Sequence, residues 1–109
     1  MRSFSVRMTE SAVCDIQDIA QYIRFHLLEP ETAKNQIARI RKSILSLSDF
    51  PERNALISDG YLQKKQIRFM HVDNFLIFYT VHKDKSMVYI VRVVYSRRDW
   101  QIILESSPL

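Results

Sequence analysis

The feature that most constrains this fold is the stretch of residues 67–100, in which two short polar turns separate three strand-like runs. The runs, residues 66–72, 75–82 and 87–95, are rich in β-branched and aromatic side chains, which favour an extended chain. Between the first two runs, Asp73 and Asn74 tolerate the positive φ angles that a two-residue hairpin turn requires. We therefore predict an antiparallel, three-stranded meander.

Hairpin turns fix the register, so the pairing follows by counting outward from them on the assumption that no bulge intervenes. The predicted pairs are Val72 with Phe75, Arg68 with Tyr79, Thr80 with Tyr89 and Ile77 with Arg92. Side chains alternate between faces, and the face that we expect under the helices carries Ile67, Phe69, Leu76, Phe78, Val91 and Val93. The opposite face carries Gln66, Arg68, Met70, Ile77, Tyr79, Ile90 and Arg92. This face therefore places two arginines beside an aromatic ring on an otherwise apolar surface.

The N-terminal half of the chain predicts a short strand followed by two helices. Apolar residues alternate over residues 4–8, and Thr9 is a suitable N-cap for a first helix that ends near Leu27. Pro30 suits the first turn of a second helix, which residues 48–51 terminate. Each helix carries one apolar stripe: Val13, Ile16, Ile19, Ala20, Ile23 and Leu27 in the first, and Ala33, Ile37, Ile40, Ile44 and Leu47 in the second.

Together these patterns predict a single α+β domain over residues 1–109. Its order is an N-terminal strand, a two-helix hairpin, the three-stranded antiparallel meander and a short C-terminal helix within residues 97–104, with the helices packed on one sheet face. Residues 52–63 include the only glycine and have no clear periodicity, so we predict a surface loop. Cys14 lies inside the first helical pattern, where we expect it to be a buried apolar residue.

The composition argues against several classes of site. A chain with one glycine has no phosphate-binding loop and no dinucleotide fingerprint. His26, His71 and His82 lie on separate elements without ligand spacing, so we expect no metal and no cofactor. No apolar run approaches the roughly 20 residues of a membrane span, and one cysteine cannot form an internal disulfide. We expect a soluble, cytoplasmic protein without a membrane partner.

The remaining chemistry is cationic and aromatic, and the formal net charge of +4 points to polyanions or acidic proteins. Lys64 and Lys65 precede the second strand, and Tyr95, Arg97 and Arg98 follow or end the last one. Lysine and arginine side chains bind phosphates, and an aromatic ring can stack on a base. This combination is suited to binding single-stranded RNA. The alternatives are a solvated strand end for the lysines, and helix carbonyls or Asp99 as partners of Arg98.

Within the meander, Arg92 has the strongest functional signal. A buried, unpaired guanidinium costs several kcal/mol, and the derived pairing places no acidic residue on the face of Arg92. We therefore predict that Arg68, Tyr79, Arg92 and Arg98 form a binding face. Trp100 is predicted to fill the core rather than to stack on a base.

The order of elements and three motifs resemble the RelE/ParE superfamily of toxins from bacterial type II toxin–antitoxin modules. The motifs lie at residues 15–23, 74–79 and 90–99, and the resemblance extends from Val6 to about Leu104. It implies a cytoplasmic toxin that acts in plasmid stabilisation or growth arrest. It also implies a partly disordered antitoxin, expected to be acidic, that neutralises the toxin in a hetero-oligomeric complex.

The superfamily divides by target, and the residues leave both branches open. Members similar to RelE are ribosome-dependent messenger RNA endonucleases, and the resemblance places Lys64, Lys65 and Arg97 at comparable catalytic positions. However, Leu76 replaces an arginine of that set, Ile103 lies near its late tyrosine, and Tyr95 stands where many relatives have histidine. A phenol is a poor base near neutral pH.

Members similar to ParE inhibit DNA gyrase by binding, without catalysis. The long helical hairpin and the motif at residues 74–79 are closer to that branch, which we prefer. The endonuclease, and more remotely a basic nucleic-acid-binding module, are the alternatives.

Overall fold

The structure is a computed structural model that describes residues 3–107. Its α+β fold confirms the predicted order of elements: a strand, a helical hairpin, a meander and a final short helix. The elements are β1 (Ser5–Met8), α1 (Glu10–Gln21), a π-helical turn (Tyr22–His26), α2 (Pro30–Leu45), α3 (Gly60–Gln63), β2 (Arg68–Val72), β3 (Phe75–His82), β4 (Met87–Tyr95) and α4 (Trp100–Glu105). The 3₁₀ turns Ser46–Ser48 and Pro51–Arg53 follow α2.

The four strands form one sheet in the order β1-β4-β3-β2, in which β1 runs parallel to β4 and the other neighbours are antiparallel. The hairpin turn at Asp73 is confirmed, and this residue has a φ of 53°. The predicted pairs at Val72, Arg68 and Thr80 are also confirmed. Strand propensity and turn chemistry therefore predicted the meander correctly.

The fourth predicted pair is wrong, because a β-bulge interrupts the ladder between β3 and β4. Tyr79 pairs with Ile90, whereas Phe78 pairs with Arg92 and Ile77 with Val93. One extra residue on β4 shifts everything beyond it by one position. Val91 and Val93, which were predicted to share a face, consequently belong to different core clusters.

The prediction of which sheet face the helices cover is also wrong. The helical hairpin packs on the face of Met70, Ile77, Tyr79 and Ile90, and the largest buried cluster joins that face to Ala12, Ile16, Ile40, Ile44 and Leu47. Alternation correctly grouped the residues of β2 and β3, but both groups are apolar. The alternation of side chains between the two sheet faces does not identify the face that lies under the helices.

The other sheet face is covered as well, so residues 52–63 are not the predicted surface loop. Ile57 and Leu62 from this segment are buried with Ile67, Leu76, Phe78 and Leu104. Leu56 forms an antiparallel bridge with Arg68, which covers the start of the β2 edge. Trp100 packs against Phe78 with ring centroids 5.4 Å apart, which confirms its predicted place in a core.

The helix termini follow the sequence signals, although the helices are less fully buried than predicted. Thr9 caps α1, because its side chain accepts a hydrogen bond from the Ala12 N–H at 3.1 Å, and Pro30 begins α2. Cys14 is exposed, contrary to prediction, since it lies on the solvent side of α1. Val13 and Leu27 are exposed too. Among residues 3–107, no helix combines the length and apolarity needed to cross a membrane.

Truncation of a residue from either core should measure the importance of that core. Ile40 of α2 lies in the core between the helical hairpin and the sheet, Phe78 lies in the core on the α4 side, and both are almost completely inaccessible to solvent. Replacing either by alanine should lower the free energy of unfolding by about 2–5 kcal/mol, because each leaves a cavity. Urea denaturation is the measurement, and Ile102→Ala is the matched control because this side chain is 62% exposed. An unchanged midpoint for Phe78→Ala would exclude a structural role for the second core.

Candidate functional site

The predicted binding face of Arg68, Tyr79 and Arg92 does not lie exposed on one surface. Tyr79 has no accessible surface and belongs to the core under the helices. Its hydroxyl donates to the Pro51 carbonyl at 2.6 Å and accepts from the Asn54 amide at 3.0 Å. Burial raises the pKa of Tyr79. The ring is therefore a satisfied core tyrosine and offers no surface for stacking.

Arg68 binds the segment that follows α2. Its guanidinium donates to the carbonyl oxygens of Glu52 at 3.1 Å and Asn54 at 2.6 Å, and it lies 3.6 Å from the Glu52 carboxylate. The Glu52 carboxylate is also 3.2 Å from the Lys83 ammonium. These contacts hold residues 52–54 against the start of β2.

Arg92 has a carboxylate partner, which a guanidinium among apolar neighbours needs. The guanidinium forms a two-point contact with Asp15 of α1, at 2.7 and 2.8 Å, and donates to the Ser107 hydroxyl at 2.7 Å. Asp15 also accepts from the Val93 backbone N–H at 2.9 Å. The hydrogen bonds that Arg92 donates to Asp15 are the main reason that the pKa of Arg92 is raised. The sequence indicated that Arg92 needs an anionic partner, but not that this partner lies 77 positions away.

The candidate nuclease residues differ in their surroundings. Lys64, Lys65 and Arg97 are exposed, and the Lys65 ammonium lies 5.7 Å from the centre of the Tyr61 ring. Tyr95 packs edge-on against Phe75, with centroids 5.8 Å apart, and lines a cavity on the helix side of the sheet with Arg98. We call this cavity, about 700 Å³ in volume and also lined by Asp18, Tyr22 and Leu27, the tip groove.

A second cavity lies on the sheet face away from the helical hairpin, and we call it the sheet-face groove. It has a volume of about 630 Å³, and its walls include Phe69, His71, Leu76, Phe78, Ser96 and Trp100. Among the described residues, no lysine or arginine lines it. The described lining, which also includes Ser58, Asp59 and Gln101, thus lacks the cationic side chains that hold a phosphate.

A third cavity, the helix-hairpin groove, was missed by the sequence reasoning. It lies between α1 and α2, has a volume of about 850 Å³, and is lined by Ala20, Arg24, Phe25, Lys34, Ile37 and Arg41 among others. Glu31 is its one acidic lining residue within residues 3–107. Phe25 is 62% exposed, and the Arg24 guanidinium lies 5.4 Å from the centre of its ring. The sequence feature that could have indicated this groove is the set of cations at positions 24, 34 and 41.

No part of the chain that the structure describes brings three or more histidine, cysteine, aspartate or glutamate side chains together as a metal site. The described surface offers cationic and apolar cavities.

Comparison with known proteins identifies a family that matches most of this chain. The model of a family described as the ParE toxin of the type II toxin–antitoxin system parDE matches residues 6–100. No curated protein sequence matches the chain.

Solved structures of toxin–antitoxin complexes share the fold. A chain of the chromosomal ParDE system from P. aeruginosa aligns with a TM-score of 0.70 at 18% identity, covering 85% of this chain and 96% of its own length. A chain of the RelBE2 complex from Mycobacterium tuberculosis gives 0.60 at 21% identity, with coverages of 87% and 93%. A chain of the intact E. coli RelBE complex gives 0.58 at 14% identity, with coverages of 88% and 100%.

Removing either member of the Asp15–Arg92 pair should destabilise the protein. The side chains of Arg92 and Asp15 are only 20% and 13% exposed, so a single change leaves a poorly hydrated charge without its partner. We expect Arg92→Met and Asp15→Asn each to lower the free energy of unfolding by about 2–3 kcal/mol, and the double variant to lose less than the sum. Arg39→Met is the control, because the Arg39–Asp73 pair is exposed. If Arg92→Met is as stable as the native protein, the pair has no structural role, and Arg92 is again a candidate binding residue.

Proposed function

Because the chain belongs to the ParE toxin family of type II toxin–antitoxin systems, we propose that this toxin acts by binding DNA gyrase and not by cleaving RNA. The sheet-face groove carries the proposal. Within residues 3–107 no lysine or arginine lines it, whereas cleavage of a phosphodiester needs donors aimed at the phosphate as its charge develops in the transition state. Phe69, Leu76, Phe78 and Trp100 occupy the walls instead.

The positions of the other candidate residues support the same mechanism. Tyr95 and Arg98 line the tip groove, on the opposite side of the sheet from the sheet-face groove. Lys64, Lys65 and Arg97 line neither groove. An endonuclease would have to bring these groups together around one phosphate, at hydrogen-bonding distances. A binding inhibitor needs no such convergence.

Two assays on purified toxin test the proposal. We expect inhibition of supercoiling by gyrase, and no cleavage of messenger RNA translated on ribosomes. If the protein is instead an endonuclease, it will cleave the messenger, and Arg97→Ala will reduce the cleavage rate by about 10²–10³ because it removes one phosphate donor. Lys85→Ala, on the β3–β4 turn, controls for the loss of one surface charge. Cleavage that depends on Arg97 would overturn the gyrase proposal.

The neutralising partner is an antitoxin protein, and the helix-hairpin groove is our proposed site for an acidic, amphipathic segment of it. The groove combines Arg24, Lys34 and Arg41 with the apolar floor of Ala20 and Ile37. Cations around an apolar cleft complement a helix with one acidic and one apolar face. Ordering such a segment costs free energy, so the apolar contacts must accompany the charges.

Charge reversal in this groove should weaken the complex. We expect Lys34→Glu combined with Arg41→Glu to reduce antitoxin affinity by at least tenfold at about 0.1 M salt, and by less at high salt, because the Debye length shortens. Calorimetric titration at two salt concentrations measures this. Lys85→Glu combined with Lys64→Glu is the matched control, since it makes the same charge change outside the groove. An equal loss in the control would mean that only net charge matters.

A further inference from the structure

We propose that the tip of the helical hairpin, residues 22–28, is the surface by which the toxin binds its target protein. The inference rests on the proposed function, which identifies that target as DNA gyrase. The tip borders the proposed antitoxin site without coinciding with it, and neither the family match nor the similar structures assign a role to it.

Large apolar side chains are concentrated and exposed at this tip. Leu28 is 79% exposed, and Tyr22, Phe25 and Leu27 are each exposed by 49% or more. An aromatic side chain buries about 150–250 Å² when it is fully covered, so the two rings and two leucines leave on the order of a few hundred Å² of apolar surface in water. An apolar patch of that size on a soluble protein often marks a site of interaction.

A π-helical turn accounts for part of this exposure. Over Tyr22–His26 the helix continues with wider turns, and the Leu27 N–H donates to the Tyr22 carbonyl, five positions back, at 3.3 Å. The extra residue in the turn rotates the following side chains away from the apolar stripe of α1. Ile23 is therefore buried whereas Leu27 is not. Single π turns within helices are rare and occur frequently at functional sites.

Leu28 ends the turn in a conformation that bulky residues avoid. Its φ is 55°, in the left-handed region. Among residues 3–107 it is also the most exposed of the large apolar side chains. In the isolated toxin, Leu28 thus combines an unfavourable backbone conformation with almost no packing. Such strain is concentrated at ligand-binding and switch segments, and burial of the side chain against a partner would offset it.

The charges on the two sides of the tip favour a partner other than the acidic antitoxin. Phe25 lines the cationic helix-hairpin groove, which attracts an acidic segment. Tyr22 and Leu27 line the tip groove on the other side. The charged residues of that groove are Asp18, Arg98 and Asp15, and the charge of Asp15 is compensated by Arg92. The remaining charges cancel, so the tip groove has no net attraction for an acidic chain.

The tip groove adds a pocket to the exposed patch. The rings of Tyr22, Phe75 and Tyr95 line it together with aliphatic side chains, and its volume is about 700 Å³. Such a pocket accepts a protruding apolar side chain, and tyrosine is enriched among the residues that dominate protein–protein binding energy. A neutral, aromatic groove offers no particular attraction to phosphates. The patch and the pocket together therefore fit a protein surface and not a nucleic acid.

A second copy of the toxin is a less suitable occupant than a different protein. Each copy carries a formal net charge of +4, so two copies repel each other. The few hundred Å² at each tip are also well below the roughly 800 Å² per partner of a typical stable interface.

The main variant combines Leu28→Asn with Tyr22→Gln. Asparagine adopts the left-handed conformation more readily than leucine, and glutamine is a better helix former than tyrosine. The midpoint of thermal unfolding of Leu28→Asn should therefore stay constant or rise. We expect the toxin concentration that halves gyrase supercoiling to increase by about tenfold or more in the double variant, because apolar anchors supply most of the binding energy.

Leu45→Asn is the matched control. It removes another exposed leucine, from the last residue of α2, which lies roughly 22 Å along the helix from Pro30. Inhibition of supercoiling should not change in this variant. Growth arrest on expression of each variant is a second readout, and it does not depend on the identity of the target.

Antitoxin affinity separates binding of the target from a structural role. Neither Tyr22 nor Leu28 lines the helix-hairpin groove, so the double variant should bind the antitoxin, purified from its co-expressed complex, within about twofold of the native affinity. Misfolding of the tip would weaken inhibition of gyrase and binding of the antitoxin together.

Full inhibition of gyrase and full growth arrest by the double variant would overturn the target-binding tip. An equal loss of antitoxin affinity would overturn it in favour of an antitoxin surface, and a native dimer that the double variant dissociates would do so in favour of self-association. A native toxin that arrests growth without inhibiting gyrase would refute the proposed function alone. Loss of growth arrest in the double variant would then still support the tip as the target-binding surface.

Discussion

The carboxylate of Asp15 is the interaction on which the rest of the architecture depends. It lies on α1, accepts two bonds from Arg92 and one from the Val93 N–H, and so fastens the first helix to β4 beyond the point where β1 ends. Through Arg92 the same network reaches Ser107, just after α4. One ion pair thus joins the first helix, the central strand and the C-terminal helix. Because the pair is largely shielded from water, removing either partner leaves an uncompensated charge, which makes the network sensitive to single substitutions.

A sheet that is apolar on both faces needs two covers, and this second constraint shapes the surface available for function. The helical hairpin covers one face, and residues 55–62 with α4 cover most of the other. The sheet-face groove lies on that second side, with Leu76 and Phe78 in its wall. The residues that stabilise the second core are therefore the ones that leave the groove without phosphate-binding charges.

The cations that give the protein its positive charge are dispersed over the periphery. Some are structural, such as Arg53, Arg68 and Arg92, which hold turns and strands through carbonyl and carboxylate oxygens. Others, including Lys34 and Arg41, line the groove between the helices. Dispersed charge favours association with acidic proteins, whereas catalysis on a phosphate requires convergent charge. This distribution is the basis of our proposal that the toxin acts by binding and not by RNA cleavage.

The sequence by itself determined the elements, the meander and the superfamily resemblance, which the ParE family match confirms. Those properties depend on local turn chemistry, capping at Thr9 and the period of the apolar residues. The tertiary structure decided which sheet face the helices cover, the bulge beside Phe78, the burial of Ile57 and Leu62, and the partner of Arg92. These features depend on contacts between distant residues, and a local period cannot distinguish two equally apolar faces or identify a carboxylate 77 positions away.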